Sequence, residues 1–282
     1  VGLTFDLSLT EGPGHATVLA EQAYSEQVDV VAAAGGDGTI HEVINGLLRA
    51  TDQKSAAVKL AVLPLGSGND FAQMAGCPRD LDRAAMAIAA GVIRRIDVGH
   101  TTIVADRQTH NRYFCNNMGI GFEAQVTLES YNVARLRGLA LYLVATLRAL
   151  RGYDSFHVEL TCTDGEGSEW IRSGPIFMIT IGNSPRAGGG FYLTPQAQMD
   201  DGFLDVGVID PIPVWRAVTL LLQILLRRHA NDPVVTMRRA TCIDVDCSVG
   251  VPIQLDGEVL AKSANHVKVV IDRRRLQVVT DG

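Results

Sequence analysis

Five residues, Gly35-Gly36-Asp37-Gly38-Thr39, separate an apolar run at 28–34 from an amphipathic segment that begins at Ile40. Val28, Val30, Val31 and the three alanines after them have the length and β-branching of a strand buried on both faces. Ile40, Val43, Ile44, Leu47 and Leu48 recur instead at helical spacing. A strand therefore enters a helix through a turn with almost no side chains. Thr39 and Glu42 make a Thr-x-x-Glu capping box, which predicts a helix starting at Thr39 with its free N–H groups toward the glycines. Glycines admit oxygen-rich groups close to the backbone, and a helix N-terminus offers unpaired donors, so this turn can hold a phosphate. Asp37 would repel that phosphate unless a cation lay between them, which suggests Mg²⁺. A tight connection with no ligand uses the same residues, and one glycine turn does not separate the two readings.

A second copy of the arrangement follows. Residues 59–64 are another short apolar run, leading into Leu65-Gly66-Ser67-Gly68-Asn69-Asp70 and then Phe71, Ala72, Met74 and Ala75. Ser67 and Asp70 repeat the cap spacing. If the two strands are parallel neighbours, both loops open at one sheet edge, the place where open α/β sheets bind ligands.

Further motifs come in a fixed order: Leu63-Pro64 through Phe71-Ala72, Ile96-Asp97-Val98-Gly99, Asp200-Asp201-Gly202 and Leu255-Asp256-Gly257-Glu258. Together with the first glycine turn they resemble the diacylglycerol kinase catalytic family, which includes bacterial diacylglycerol kinases, related bacterial lipid kinases and sphingosine kinases. The resemblance covers essentially the whole chain. It implies an α/β nucleotide-binding domain with a parallel sheet, a β-rich (β-sandwich) second domain and an active cleft between them. Residues 1–95 would form the first domain, rejoined by 274–282, and residues 96–273 the lipid-substrate and metal domain. Residues 1–8 alternate like the family's second strand, and Thr10, Gly12, Gly14, His15 and Ala16 match the turn after it. The family's first strand and its Asn-Pro-x-x-Gly loop are not visible, so the chain reads as N-terminally truncated.

The same resemblance distributes roles. Thr10, Gly35, Gly36, Asp37, Gly38, Thr39, Gly66, Ser67, Gly68 and Asn69 correspond to the ATP site. Asp37, Asp70 and Asp97 look like an acidic network that links the domains through Mg²⁺ or water. Glu258 matches the family's proton acceptor, with Asp256 a second claimant, and Asp201 with the main-chain oxygens of Gln198 and Phe203 matches a structural Mg²⁺ site. Read without the resemblance, an acid in a turn is usually a solvated hairpin residue. Gly188-Gly189-Gly190 reads as a plain loop, with a place at the lipid mouth as the alternative.

Composition bounds the rest. The 282 residues are 47% apolar and 20% charged, which fits a globular chain of one large or two medium domains. A net charge of −6, with no Lys/Arg run longer than Arg273–Arg275, argues against nucleic acid as a partner. Five cysteines without Cys-x-x-Cys spacing support neither disulfides nor zinc, and so point to the cytoplasm. The longest apolar stretch, 218–226, is too short for a transmembrane segment.

Strands and helices alternate up to about Arg95, with a helix over 80–90 closed by Gly91. Strands dominate afterwards, among them 96–104, 113–120, 155–163, 176–181, 204–209 and 267–271, with a hairpin turn at 164–167. Two helices interrupt them: 129–151, and 211–229 capped by Asp210. Arg137, Arg148 and Arg151 would share a helix face; such a face is usually only solvated, and the alternative is that it meets an anionic membrane surface. The expected activity is an ATP-dependent, Mg²⁺-requiring kinase that phosphorylates a hydroxyl of diacylglycerol or a related lipid. The expected setting is cytoplasmic with peripheral membrane contact, and a homodimer is left open. The alternatives are a kinase of a soluble acceptor such as NAD, and a lipid- or nucleotide-binding regulator without turnover.

Overall fold

The structure is a computed structural model that describes residues 2–51, 59–133, 136 and 138–281. Helix α1 (His15–Ser25) packs on α2 (Asp37–Thr51), and strands β1 (Val30–Gly35) and β2 (Lys59–Pro64) run parallel with Gly35 opposite Pro64. Both glycine loops therefore leave the same sheet edge. After them come α3 (Asp70–Ala75) and α4 (Leu81–Ala90). Asp80 caps α4, its Oδ1 accepting the Arg83 N–H at 2.8 Å, and Gly91 ends it at φ 70°. Ile40, Ile44, Leu47, Leu60, Val62 and Phe71 form the core of this first unit.

Strands then follow one another: β3 (Ile93–Ala105), β4 (Gln108–Phe114), β5 (Asn117–Gly121), β6 (Phe156–Thr163), β7 (Glu169–Ile176), β8 (Met178–Gly182), β9 (Leu204–Ile209), β10 (Val235–Ala240), β11 (Cys242–Leu255) and β12 (Glu258–Val279). Their alternating side chains close a second core around Ile103, Ile120, Leu160, Ile179, Val206, Ile243 and Val267. Helices α5 (Phe122–Ser130), α6 (Gly138–Ala149) and α7 (Val214–Leu225) cover a third cluster beside it, with Phe122, Phe177, Phe191 and Ile224.

Two strands pass through both units. Residues 264–272 of β12 pair antiparallel with 98–105 of β3; beyond a register shift, Leu276–Val279 pair with Ile93–Ile96, and Val278 lies parallel to Leu60. The end of the chain thus rejoins the first sheet. Asp97 sits where the pairing shifts and is fully buried. Its Oδ2 accepts the Gly202 N–H at 2.7 Å and its Oδ1 the Arg274 N–H at 2.6 Å.

Several expected elements differ. Residues 2–10 form no strand and expose Phe5 (79%), Leu7 (76%) and Leu9 (77%), because no strand among the described residues pairs with them. Two helices, α5 and α6, stand where one was expected over 129–151. Pro213 rather than Asp210 precedes α7, and Asp210 instead pairs with Arg172 at 2.7 Å. The strand expected over 113–120 breaks between β4 and β5, where three N–H groups turn toward one carboxylate. Arg137 lies outside the described residues, and Arg148 donates to the Asn132 carbonyl at 3.0 Å. No helix among the described residues is long and apolar enough to cross a membrane. The five cysteines are free, and those at 77, 115, 162 and 247 are buried.

Candidate active site

Helix α2 begins at Asp37, two residues before the predicted start, with the Ile40 N–H on the Gly36 carbonyl at 3.1 Å. Glu42 does not cap its own helix. Its carboxylate takes the N–H groups of Gly14 (2.7 Å) and Ala16 (3.1 Å) and so caps α1, a tertiary contact that outcompetes the local box. In the second loop Asn69 adopts φ 51° and folds its amide back on the Gly66 N–H (3.0 Å) and carbonyl (2.8 Å). The Ser67 hydroxyl is not the cap of α3.

The two loops touch through glycine backbone. A Cβ on Gly66 would lie 2.5 Å from the Gly36 Cα, so only glycine permits this approach. Gly66→Ala is expected to force the loops apart, costing about 1–3 kcal/mol of stability and weakening ATP-analogue binding. Thermal denaturation with a nucleotide titration checks both.

Asp37 reaches from the first loop into the second. Its Oδ1 accepts the Phe71 N–H at 3.1 Å, and its Oδ2 is 2.9 Å from where a Gly68 Cβ would be. Burial raises its pKa, and the charge of Asp256 adds to this, against the lowering effect of N–H groups from 69–71. Asp70 accepts the Gly189 N–H at 2.6 Å and faces Arg186 at 2.8 Å, and burial raises its pKa too. The 188–190 loop is therefore not a plain loop: it ties the second unit to α3.

Asp256 holds a fixed post at φ 48°. Its Oδ1 accepts the N–H groups of Asn116 (2.8 Å) and Asn117 (3.0 Å), while Oδ2 accepts Cys115 N–H (2.9 Å) and meets His41 Nδ1 at 3.0 Å. Since the carboxylate only accepts, Nδ1 of His41 carries the hydrogen. Burial lowers the His41 pKa, but the hydrogen bond and charge of Asp256, with the charge of Glu258, outweigh it and raise it overall. Glu258 has no such set of donors among the described residues. It lies against the first loop, with Oε1 3.1 Å from the position of a Gly38 Cβ. Partial burial raises its pKa, opposed by His41 and reinforced by Glu42 and Asp256.

Gly257, between these acids, lines an apolar cavity that opens to solvent. The walls include Phe122, Val126, Met178, Phe191, Leu221 and Ile224, and Asn117, Gln254 and Gly188 lie on the side of the acids. Two lining residues carried no sequence signal of their own. Tyr142 places its hydroxyl 3.6 Å from the position of a Gly257 Cβ, and burial pushes its pKa to about 12, helped by the charges of Asp70 and Asp37. Glu123 receives the side-chain amides of Asn117 and, at 2.9 Å, Gln254; burial raises it to about 7 despite those bonds.

The other predicted positions are dispersed. Thr10 is exposed in the irregular segment. The two N–H groups on the Asp97 carboxylate make it a connector between the units. At the 198–203 turn, Asp201 Oδ1 accepts the Phe203 N–H at 3.0 Å and its Oδ2 pairs with the Arg239 guanidinium. The carboxylate that the resemblance gives to a structural Mg²⁺ is thus engaged by an arginine in this structure.

A parallel βα unit with two glycine loops, facing a β-sandwich that supplies acids and an apolar cavity, defines a two-domain phosphotransferase. The diacylglycerol kinase catalytic domain profile matches residues 1–101, and that of the YegS C-terminal NAD kinase beta sandwich-like domain matches residues 116–280. The chain belongs to this family of YegS-like lipid kinases and diacylglycerol kinases. A Pseudomonas putida protein named "Probable lipid kinase YegS-like" is 33% identical over 92% of this chain and 80% of its own length. The Bacillus subtilis diacylglycerol kinase is 28% identical over 95% and 86%. Among solved structures, a diacylglycerol kinase from Bacillus anthracis superposes with TM-score 0.67 at 21% identity, over 96% of this chain and 83% of that one. Yeast NADH kinase complexed with NADH gives 0.52 at 10% identity, over 92% and 64%. These two likenesses concern the fold.

Proposed function

We propose that the chain transfers the γ-phosphate of ATP to a hydroxyl of diacylglycerol or a related lipid, with Glu258 as proton acceptor. The observation that supports this reading is that one turn reaches both the first glycine loop and the apolar cavity. Glu258 touches the first glycine loop, and its neighbour Gly257 lines an apolar cavity. Gly35, Gly36, Gly38, Thr39 and the 66–69 loop would cradle the phosphates, their approach set by glycine backbone. Asp37, a buried carboxylate with no ion-pair partner among the described residues and within reach of the charges of Asp70 and Asp256, suits a cation beside a triphosphate. Mg²⁺ held there would neutralise charge developing on the phosphoryl oxygens. Acyl chains would lie along Phe122, Val126, Leu221 and Ile224, bringing the lipid hydroxyl toward Tyr142 and Glu258.

The direct test incubates the protein with labelled ATP, Mg²⁺ and a panel of micellar lipids. Phosphorylated lipid is the expected product; ATP binding without any phosphorylated lipid would overturn the reading. Val126→Trp, which narrows the cavity, should raise the lipid KM by about tenfold while the ATP KM stays unchanged. A soluble acceptor such as NAD fits the cavity poorly, because its lining is mostly hydrocarbon and a second nucleotide needs polar partners.

A further inference from the structure

Helix α7 is apolar on two opposite faces. Ala217, Leu220 and Ile224 turn inward onto the third core cluster, and Leu221 and Ile224 line the cavity. Trp215, Val218, Leu222 and Leu226, at spacings of three and four residues, form a second stripe on the outside. They are 68%, 37%, 56% and 65% exposed, with Val214 at 56% beside them. Single exposed apolar residues are ordinary, but a contiguous row of five is not.

Charge around the helix is one-sided. From Pro211 to Asn231 the chain has no Asp or Glu but three arginines and a histidine, in a protein whose net charge is −6. Arg216 is held by Asp232 at 2.5 Å. Arg227 lies on the Tyr192 ring at 3.5 Å, and Arg228 is exposed; neither pairs with a carboxylate among the described residues. A second copy docked by a twofold axis on this face would bring like charges together, whereas an anionic lipid surface complements them. Twelve residues of helix span about 18 Å, so α7 can lie in a membrane interface but cannot cross it.

We propose that the outer face of α7 docks on anionic bilayers, with Trp215, Val218, Leu222 and Leu226 in the headgroup–acyl boundary and Arg227 and Arg228 on the phosphates. Because the inner face of the same helix walls the cavity, docking places that cavity next to the lipid pool. The claim that the docked lipid is the acceptor rests on the kinase reading; docking itself does not.

The test uses the whole protein with phosphatidylcholine vesicles, with and without phosphatidylglycerol. Trp170 and Trp215 are the only tryptophans, so in a Trp170→Phe background emission reports on Trp215 alone. A blue shift on adding anionic vesicles is expected. Leu222→Ser/Leu226→Ser should weaken vesicle binding by at least about tenfold, with circular dichroism unchanged because both residues face outward. Arg227→Gln and Arg228→Gln should each cost about fivefold on anionic vesicles and nothing on neutral ones. Activity on a monomeric short-chain diacylglycerol should survive the double leucine change, while activity on vesicle-borne diacylglycerol falls with binding. Equal vesicle binding by parent and double variant would overturn the proposal. So would a dimer in sedimentation velocity that the double variant dissolves, since the face would then belong to a second copy. Vesicle binding with no turnover of either lipid would sink the kinase reading and leave docking standing.

Discussion

Glu258→Gln is expected to lower kcat by about 10²–10⁴-fold, the range for loss of a positioned general base, while ATP affinity stays at the parental level. The change is nearly isosteric, and the hydrogen-bonded frame of the turn runs through Asp256 and Gln254, whose side chain accepts the Gly257 N–H at 2.8 Å. Fold and nucleotide loops should therefore survive. At about 1.4 kcal/mol per decade, this asks roughly 3–5.5 kcal/mol of one carboxylate, within reach of a group that removes the hydroxyl proton as phosphoryl transfer proceeds. Single-turnover kinetics beside equilibrium ATP binding decide the matter. A variant with parental kcat would show that the proton leaves by another route. Asp256 is a weaker claimant for the role, because three backbone N–H groups and His41 already occupy both of its oxygens.

That assignment marks the limit of reading this chain as a string. The glycine loops were legible because their signal is local: β-branched run, glycines, helical period. The parallel pairing of β1 and β2 meets the condition those patterns set, and the return of residues 276–279 to the first sheet is what the family resemblance implied. What could not be read was which donor each acid meets. The capping-box rule gives Glu42 to its own helix, yet its carboxylate accepts the N–H groups of Gly14 and Ala16 from another one. Asp256 and Glu258 occupy one turn with similar chemistry, and only the break between β4 and β5 separates their roles. Tyr142 and Glu123 look in the sequence like ordinary members of apolar or amphipathic helices, because a cavity wall has no period of its own. The outer stripe of α7 was hidden for a related reason. A helix apolar on two faces reads as a deeply buried one until the fold shows which face is covered.

Removing Asp256 should cost more stability than any other single change at the site. Asp256→Ala leaves the N–H groups of Cys115, Asn116 and Asn117 without their acceptor and strips His41 of its partner. Losing one member of a buried, hydrogen-bonded pair costs about 3–5 kcal/mol. Urea unfolding measures this, and a loss under about 1 kcal/mol would mean that solvent already satisfies these groups. His41 adds a pH signature with a definite sign. Its folded pKa is raised above the ordinary value near 6.5, so the protonated imidazole binds more tightly in the folded than in the unfolded chain. The stabilisation is complete below the unfolded value and is lost as pH rises through the folded one. His41→Gln, which keeps a donor for Asp256 but cannot titrate, should lie furthest below the parent in stability below the ordinary imidazole value near 6.5 and approach it as pH rises through the raised folded value. A parent–variant gap that is flat across that window, or that widens with rising pH, would show that the Asp256 pairing does not favour the imidazolium.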